Sequence, residues 1–344
     1  MKKYKICVTG NCNDAVTFDG QTIRTRRVLA ELERVYGKDR IKFINYRFLK
    51  QNKVKLLSEL VKGFFSCENF LVISIGDSIR TLAPVCFKIN RIFHRKVYYE
   101  LIGGSLPVKI KDPVNLETAK KYDGIFVETS AIFDALKGAG LDKVYKFPNF
   151  KYSPVLSGKT TSEEPPYKLV YMSRVCEEKG TAEMIEVLKK VNADKVRFTL
   201  DIYGGVEPVF EETFAEIRKD LPGYISYKGI AESDKTSEIM QEYFLQLFPT
   251  KVPTEGHPAS ILDSYFAGVP VLCSRWNSFA DIVDENVTGI AFEFGDFDDM
   301  ERKLFDIYDH PETVLAMRKN CKEKTKEFDP KTVIKIMTDV IDGN

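Results

Sequence analysis

FPTKVPTEGHPASILDSYFAGVPVLCSRWNSFADIVDENVTG, residues 248–289, is the stretch from which the fold can be read. An apolar run ends at Pro249, and a turn-rich segment then sets Glu255 and Gly256 just ahead of a predicted helix. That helix closes on Ala267 and Gly268, before a buried strand at 269–273. Seven residues separate Glu255 from Asp263, among them small side chains and Pro258. The unpaired amides at the start of the helix can therefore face an anion between two acids, the arrangement of a diphosphate seat at a strand end.

Outward from this stretch the chain alternates strands with helices. In the first half, strands are expected at 4–9, 41–46, 70–75, 96–101, 123–128 and 144–147. The helices between them are expected at 21–36, 54–65, 78–93 (interrupted at Pro84) and 130–138. Residues 151–166, KYSPVLSGKTTSEEPP, lack periodicity and read as a linker. The alternation then restarts, with strands at 168–173, 197–203, 224–228, 244–248 and 290–294 around the opening stretch. Its helices are expected at 179–191, 209–219, 233–241, 296–308, 313–328 and 331–341. Strands joined by single helices form parallel, doubly wound α/β sheets, and two such series make two domains.

Composition agrees with two soluble domains. The 344 residues suit two cores of about 150 residues each. No run of about 18 apolar residues occurs, and the Met1-Lys2-Lys3 start leads into a strand, so a cytoplasmic protein is expected. The seven cysteines include no Cys-x-x-Cys pair and the three histidines are dispersed, which points to reduced thiols and no metal cluster. Residues 1–150 carry 27 Lys and Arg against 15 Asp and Glu, whereas the remainder carries 24 against 35. A split of this size implies different partners for the two halves, an anionic membrane surface being one for the first. No nucleic-acid partner is expected.

Other residues with chemical potential sit at predicted strand ends. Arg174 and Lys179 follow the first strand of the second half, where a guanidinium fork and an ammonium can meet one anion. Gly204 and Gly205 end the next strand, either close to a nucleotide or in a tight turn; Gly103 and Gly104 are their counterparts in the first half. Gly20, within Phe18-Asp19-Gly20-Gln21-Thr22, precedes the first helix and allows close backbone approach. The Gly-x-Gly-x-x-Gly fingerprint is broken at Gly10-Asn11-Cys12, which argues against a nicotinamide dehydrogenase. Asp296-Phe297-Asp298 has the spacing of a metal-binding Asp-x-Asp but opens a helix, where acids cap free amides; a metal-independent reaction follows.

Glu255-Gly256-His257-Pro258, Asp263 and Gly268-Val269-Pro270-Val271 resemble the signature of the retaining nucleotide-sugar glycosyltransferases of the GT-B fold, glycosyltransferase family 4. His257 stands where the family has an aromatic residue, Pro258 where it has Gly, and Asp263 where it has Glu. Ser173-Arg174 and Lys179-Gly180 resemble its diphosphate-binding motif, with Ser173 for the usual Gly. The resemblance implies two doubly wound Rossmann-like domains facing across a cleft: 1–150 on the acceptor side, 167–328 for the donor, and a terminal helix at 329–344 crossing back to the first. It also implies Arg174 and Lys179 on the donor's diphosphate, with the backbone of Gly256, His257, Pro258 and Ala259 nearby. Asp263 would then meet the ribose hydroxyls and Glu255 the donor sugar, without any cofactor. The acceptor would be a glycan, a polyprenyl-linked glycan or a small molecule in bacterial polysaccharide assembly. Two alternatives are a nucleotide-sugar binding subunit without turnover and a sugar phosphorylase.

Overall fold

Apolar runs such as Ile6-Cys7-Val8 and Phe70-Leu71-Val72 are wholly buried, as strands covered on both faces must be. The computed structural model describes residues 3–12, 20–46 and 52–344. The chain divides into one unit of Met1–Asn149 with Pro330–Asn344 and another of Phe150–Asp329.

The first unit holds strands β1 (Tyr4–Gly10), β2 (Ile41–Asn45), β3 (Cys67–Ile75), β4 (Lys96–Ile102), β5 (Gly124–Val127) and β6 (Val144–Lys146). They form a parallel sheet in the order β2-β1-β3-β4-β5-β6. Besides one turn of helix at Leu106–Lys109, the described residues of this unit form helices α1 (Gly20–Tyr36), α2 (Lys53–Ser66), α3 (Ser78–Phe93), α4 (Pro113–Ala119) and α5 (Ser130–Gly138). Asn52, Asp112 and Thr129 each cap a helix start with a side-chain oxygen. The expected break at Pro84 does not occur, because α3 runs through it. Proline in a helix interior costs about 3 kcal/mol, but the carbonyl deprived of its partner belongs to exposed Arg80, and burial of Ile79, Ala83, Cys86 and Ile89 holds the helix in place. Helix α4 was not signalled by periodicity; the Asp112-Pro113 cap and first-turn pair was its local mark.

The second unit holds β7 (Tyr167–Met172), β8 (Phe198–Tyr203), β9 (Ile225–Gly229), β10 (Leu245–Phe248), β11 (Val271–Ser274) and β12 (Gly289–Phe292). Their parallel order is β12-β11-β10-β7-β8-β9. The helices are α6 (Thr181–Val191), α7 (Glu211–Lys219), α8 (Thr236–Met240), α9 (Ala259–Ala267), α10 (Phe297–Asp309) and α11 (Pro311–Lys324). Residues 151–162 carry no helix, strand or turn and are tied to this unit: Gly158 N donates to Gln241 Oε1 at 3.0 Å, and the Lys159 ammonium contacts Glu242 at 2.5 Å. The last helix, α12 (Pro330–Asp342), belongs to the first unit, where it packs on α1. There Tyr98 donates to Val340 O at 3.4 Å, and Lys5 meets Asp342 at 2.8 Å.

Strand order reverses between β1 and β3 in the first unit and between β7 and β10 in the second. At such switch points the flanking loops diverge and leave a crevice beyond the carboxyl ends of the strands. All seven cysteines are free thiols and six are buried.

Candidate functional site

The switch point of the second unit gathers most of the expected residues. Beyond β7, Ser173 N donates to Tyr203 O at 3.1 Å and Val175 N to Gly205 O at 2.9 Å, lacing the Arg174 loop to the loop after β8. Gly204 permits this closeness. It has a φ of 150°, and a Cβ there would lie 1.7 Å from Ser173 O, so the protein's own backbone accounts for the glycine. Tyr171 donates its hydroxyl to Arg174 O at 2.5 Å, and burial pushes this phenol well above its usual pKa, keeping it a donor. The Arg174 side chain is 59% exposed and pairs with Glu207.

Six residues after Arg174, Gly180 turns with a φ of 66°, and a Cβ there would lie 2.3 Å from Pro249 O. This contact brings the loop after β7 against the end of β10. Buried Lys179 thereby forms an ion pair with Glu255. Thr250 donates to the same carboxylate oxygen at 3.1 Å, and the Phe248 ring lies 5.4 Å from the ammonium. The two expected cations thus share a strand-end region but engage different acids, Arg174 with Glu207 and Lys179 with Glu255.

From Glu255 the chain passes through Gly256 and buried His257, whose ring meets Phe328 edge-on at 6.1 Å. Pro258 occupies the N-cap of α9. No side chain caps this helix and no acid lies in its first turn, so the amides of Ala259 and Ser260 stand at an uncapped positive end. Asp263 follows on the same helix with its side chain nine-tenths buried. Its Oδ1 accepts from Ser237 Oγ at 2.7 Å and forms an ion pair with Lys151. The carboxylate expected to meet ribose is therefore held by two protein donors.

The remaining expectations fall elsewhere. Gly20 opens α1 with open space where a Cβ would be, while Phe18 and Asp19 lie outside the described residues. Asp296 caps α10 by accepting from Asp299 N at 2.8 Å, and Asp298 lies 3.6 Å from Lys190. Among the described residues no group of three or more His, Cys, Asp or Glu side chains is arranged to hold a metal ion. In the first unit, a cavity of about 440 Å³ lies at the β1/β3 switch point, with Asn11, Ser74 and Tyr46 at the strand ends and Leu56, Leu60 and Leu82 in its wall.

Lys151, Ser237, Thr250 and Glu207 were not found from sequence. Thr250 and Glu207 follow strand ends, and that position was their available signal. Lys151 had none, being 112 positions from Asp263 in a segment without periodicity.

Residues 154–328, just over half of the chain, match the profile of the family described as Glycosyl transferases group 1. The amylovoran biosynthesis glycosyltransferase AmsK of Erwinia amylovora is 23% identical over 137 residues, 38% of this chain and 33% of that protein; the match thus spans about a third of that relative's length. Anabaena Alr3699/HepE, solved with UDP and glucose, superposes with a TM-score of 0.77 at 12% identity, covering 99% of this chain and 100% of that one. The lipopolysaccharide outer core galactosyltransferase WaaB, in its apo form, gives a TM-score of 0.73 at 15% identity over 98% and 99% of the two chains. Both likenesses agree with two Rossmann-like domains of the GT-B fold, and the matched profile includes the loops that carry Arg174, Lys179 and Glu255. The chain belongs to the group 1 glycosyl transferases.

Proposed function

We propose that this protein is a retaining glycosyltransferase that moves a sugar from a nucleoside diphosphate sugar to a hydroxyl acceptor, a glycan or lipid-linked glycan, without a metal ion. The observation that carries the reading is the second unit's switch point, where the Lys179–Glu255 pair lies along the chain from the uncapped start of α9. In the reaction the bond from the anomeric carbon to the diphosphate oxygen breaks. The acceptor oxygen bonds to that carbon on the same face and its proton is released. Negative charge grows on the departing diphosphate, and fixed cations and amides are the groups that lower such a barrier. Arg174, Lys179 and the first-turn amides of α9 take this role, Glu255 stands by the donor sugar, and Asp263 by the ribose.

The UDP bound to HepE supports a uridine donor, and the named pathway of AmsK supports a place in polysaccharide synthesis. We assign the acceptor to the first unit, whose cavity lies at its own switch point and whose excess of base suits work beside an anionic membrane. A second reading, a binding subunit without turnover, is favoured by the engagement of Asp263 with Lys151.

A thermal-shift screen against UDP-, GDP- and ADP-sugars tests the donor, since ligand at 100 times its dissociation constant adds about 2.7 kcal/mol of stability. No shift with any of them would sink both readings. Donor hydrolysis by the purified protein, retained within about twofold in excess chelator, separates the metal-independent enzyme from the silent subunit.

A further inference from the structure

Helices α2 and α3 pack side by side and leave apolar side chains uncovered. Val54, Leu57, Val61 and Phe65 recur along α2 at intervals of three and four residues, which places them on one face. All four are exposed, Val54 by 80% and Phe65 by 71%. At the end of α3, Ile92 is 74% exposed, and its neighbour Phe93 meets the Phe65 ring edge-on at 6.2 Å. The stripe therefore continues from one helix to the other. Scattered single apolar residues are ordinary on a protein surface, whereas a contiguous set with one helical period marks a contact surface.

The charge around the stripe identifies what it contacts. Residues 53–66 and 78–96 hold eight Lys and Arg and a single acid, Glu59. Lys53, Lys55, Lys62, Lys88, Arg91 and Lys96 are exposed, and Glu59 is occupied by Lys62 at 2.9 Å and Lys42 at 3.6 Å. An apolar helix face bordered by cations has the composition of a helix lying in the interface between lipid head groups and acyl chains.

We propose that the α2–α3 face docks on an anionic lipid bilayer, with Val54, Phe65 and Ile92 entering the interface and the surrounding cations meeting lipid phosphates. Leu57 and Val85 are exposed and also line the cavity at the β1/β3 switch point. For a lipid-linked acceptor this gives a path from bilayer to cavity that rests on the proposed function; the docking itself stands without it.

The test is co-sedimentation of the full chain with vesicles of equal parts phosphatidylglycerol and phosphatidylcholine, against pure phosphatidylcholine, at low salt. Wild-type protein should bind the anionic vesicles roughly tenfold more tightly than the neutral ones. The double variants Phe65→Ser/Ile92→Ser and Lys53→Glu/Lys55→Glu should each weaken binding to the anionic vesicles by roughly tenfold, with unchanged melting temperature. Equal binding to both vesicles, binding to neither, or double variants that sediment like wild type would overturn the proposal. Capture by polyglutamate without vesicle binding would assign the face to an acidic protein and overturn it as well.

Discussion

Asp263 shares its carboxylate oxygen between Lys151 and Ser237, and both partners of the ion pair are about nine-tenths buried. Removing one member of a buried pair leaves the other charged in a poor solvent, at about 3–5 kcal/mol. Lys151→Met should lose that much in urea unfolding, and Lys151→Met/Asp263→Asn should be the more stable of the two because no charge is stranded. A double variant no more stable than the single would mean that the pair contributes nothing. Glu255 differs in being only half-buried, beside Lys179 and Thr250. Glu255→Gln keeps its shape and removes its charge, so under the proposed function kcat should fall far more than KM rises. A change confined to KM would place Glu255 away from the reacting sugar. At this scale the sequence was half legible. The spacing of Glu255 and Asp263 could be read within one loop and helix, but the lysine that faces Asp263 is brought there by the tertiary fold and leaves no local pattern.

Elements were easier to read than their junctions, because a strand covered on both faces shows as an apolar run and a helix as a period of 3.6 residues. The short helix Pro113–Ala119 spans too few turns for that period to emerge, and of the helix expected at 233–241 the five residues Thr236–Met240 form. The glycines after β8 could be read as nucleotide contacts or turn residues, and the structure separates the two positions. At Gly204 a Cβ would collide with Ser173 O at 1.7 Å, whereas at Gly205 its nearest neighbour is Ile230 at 3.5 Å. Gly204→Ala should cost at least about 1–3 kcal/mol from the backbone conformation alone and displace the Arg174 loop. Gly205→Ala should unfold close to wild type. Similar urea midpoints for the two variants would refute this distinction.

Across the whole molecule, the number of sheets and the parallel sense of the strands followed from alternation, but the strand orders did not. Two orders appear, β2-β1-β3-β4-β5-β6 and β12-β11-β10-β7-β8-β9, and they set where each crevice lies. The first unit also buries an ion pair between α1 and the interior strand β4. Arg24 Nε meets Glu100 Oε1 at 2.6 Å, while its other nitrogens donate to the carbonyls of Phe147 at 3.2 Å and Pro148 at 3.0 Å. Burial raises the Glu100 carboxyl pKa and Arg24 partly opposes that shift. A carboxyl raised in the folded state favours folding less as pH climbs from its unfolded pKa through its folded one, and the full cost is present above both. Without Arg24 the folded value climbs further. Arg24→Met should therefore lose about 3–5 kcal/mol near pH 7 and less near pH 5, measured by urea unfolding. An equal loss at both pH values would show that Arg24 acts only through its carbonyl contacts.

The last helix, Pro330–Asp342, belongs to the unit that the chain begins. On the ribosome that unit cannot be completed when its own sheet has been made, because all of Phe150–Asp329 must be translated first. At ordinary elongation rates this is a wait of roughly tens of seconds. For that interval the surface of α1 covered by the helix, with the Tyr98 hydroxyl and the Lys5 ammonium, lacks its eventual cover. A nascent chain stalled before residue 330 should be cut by protease within the first unit more readily than one carried to residue 344. A synthetic peptide of residues 330–344 added in trans should restore protection.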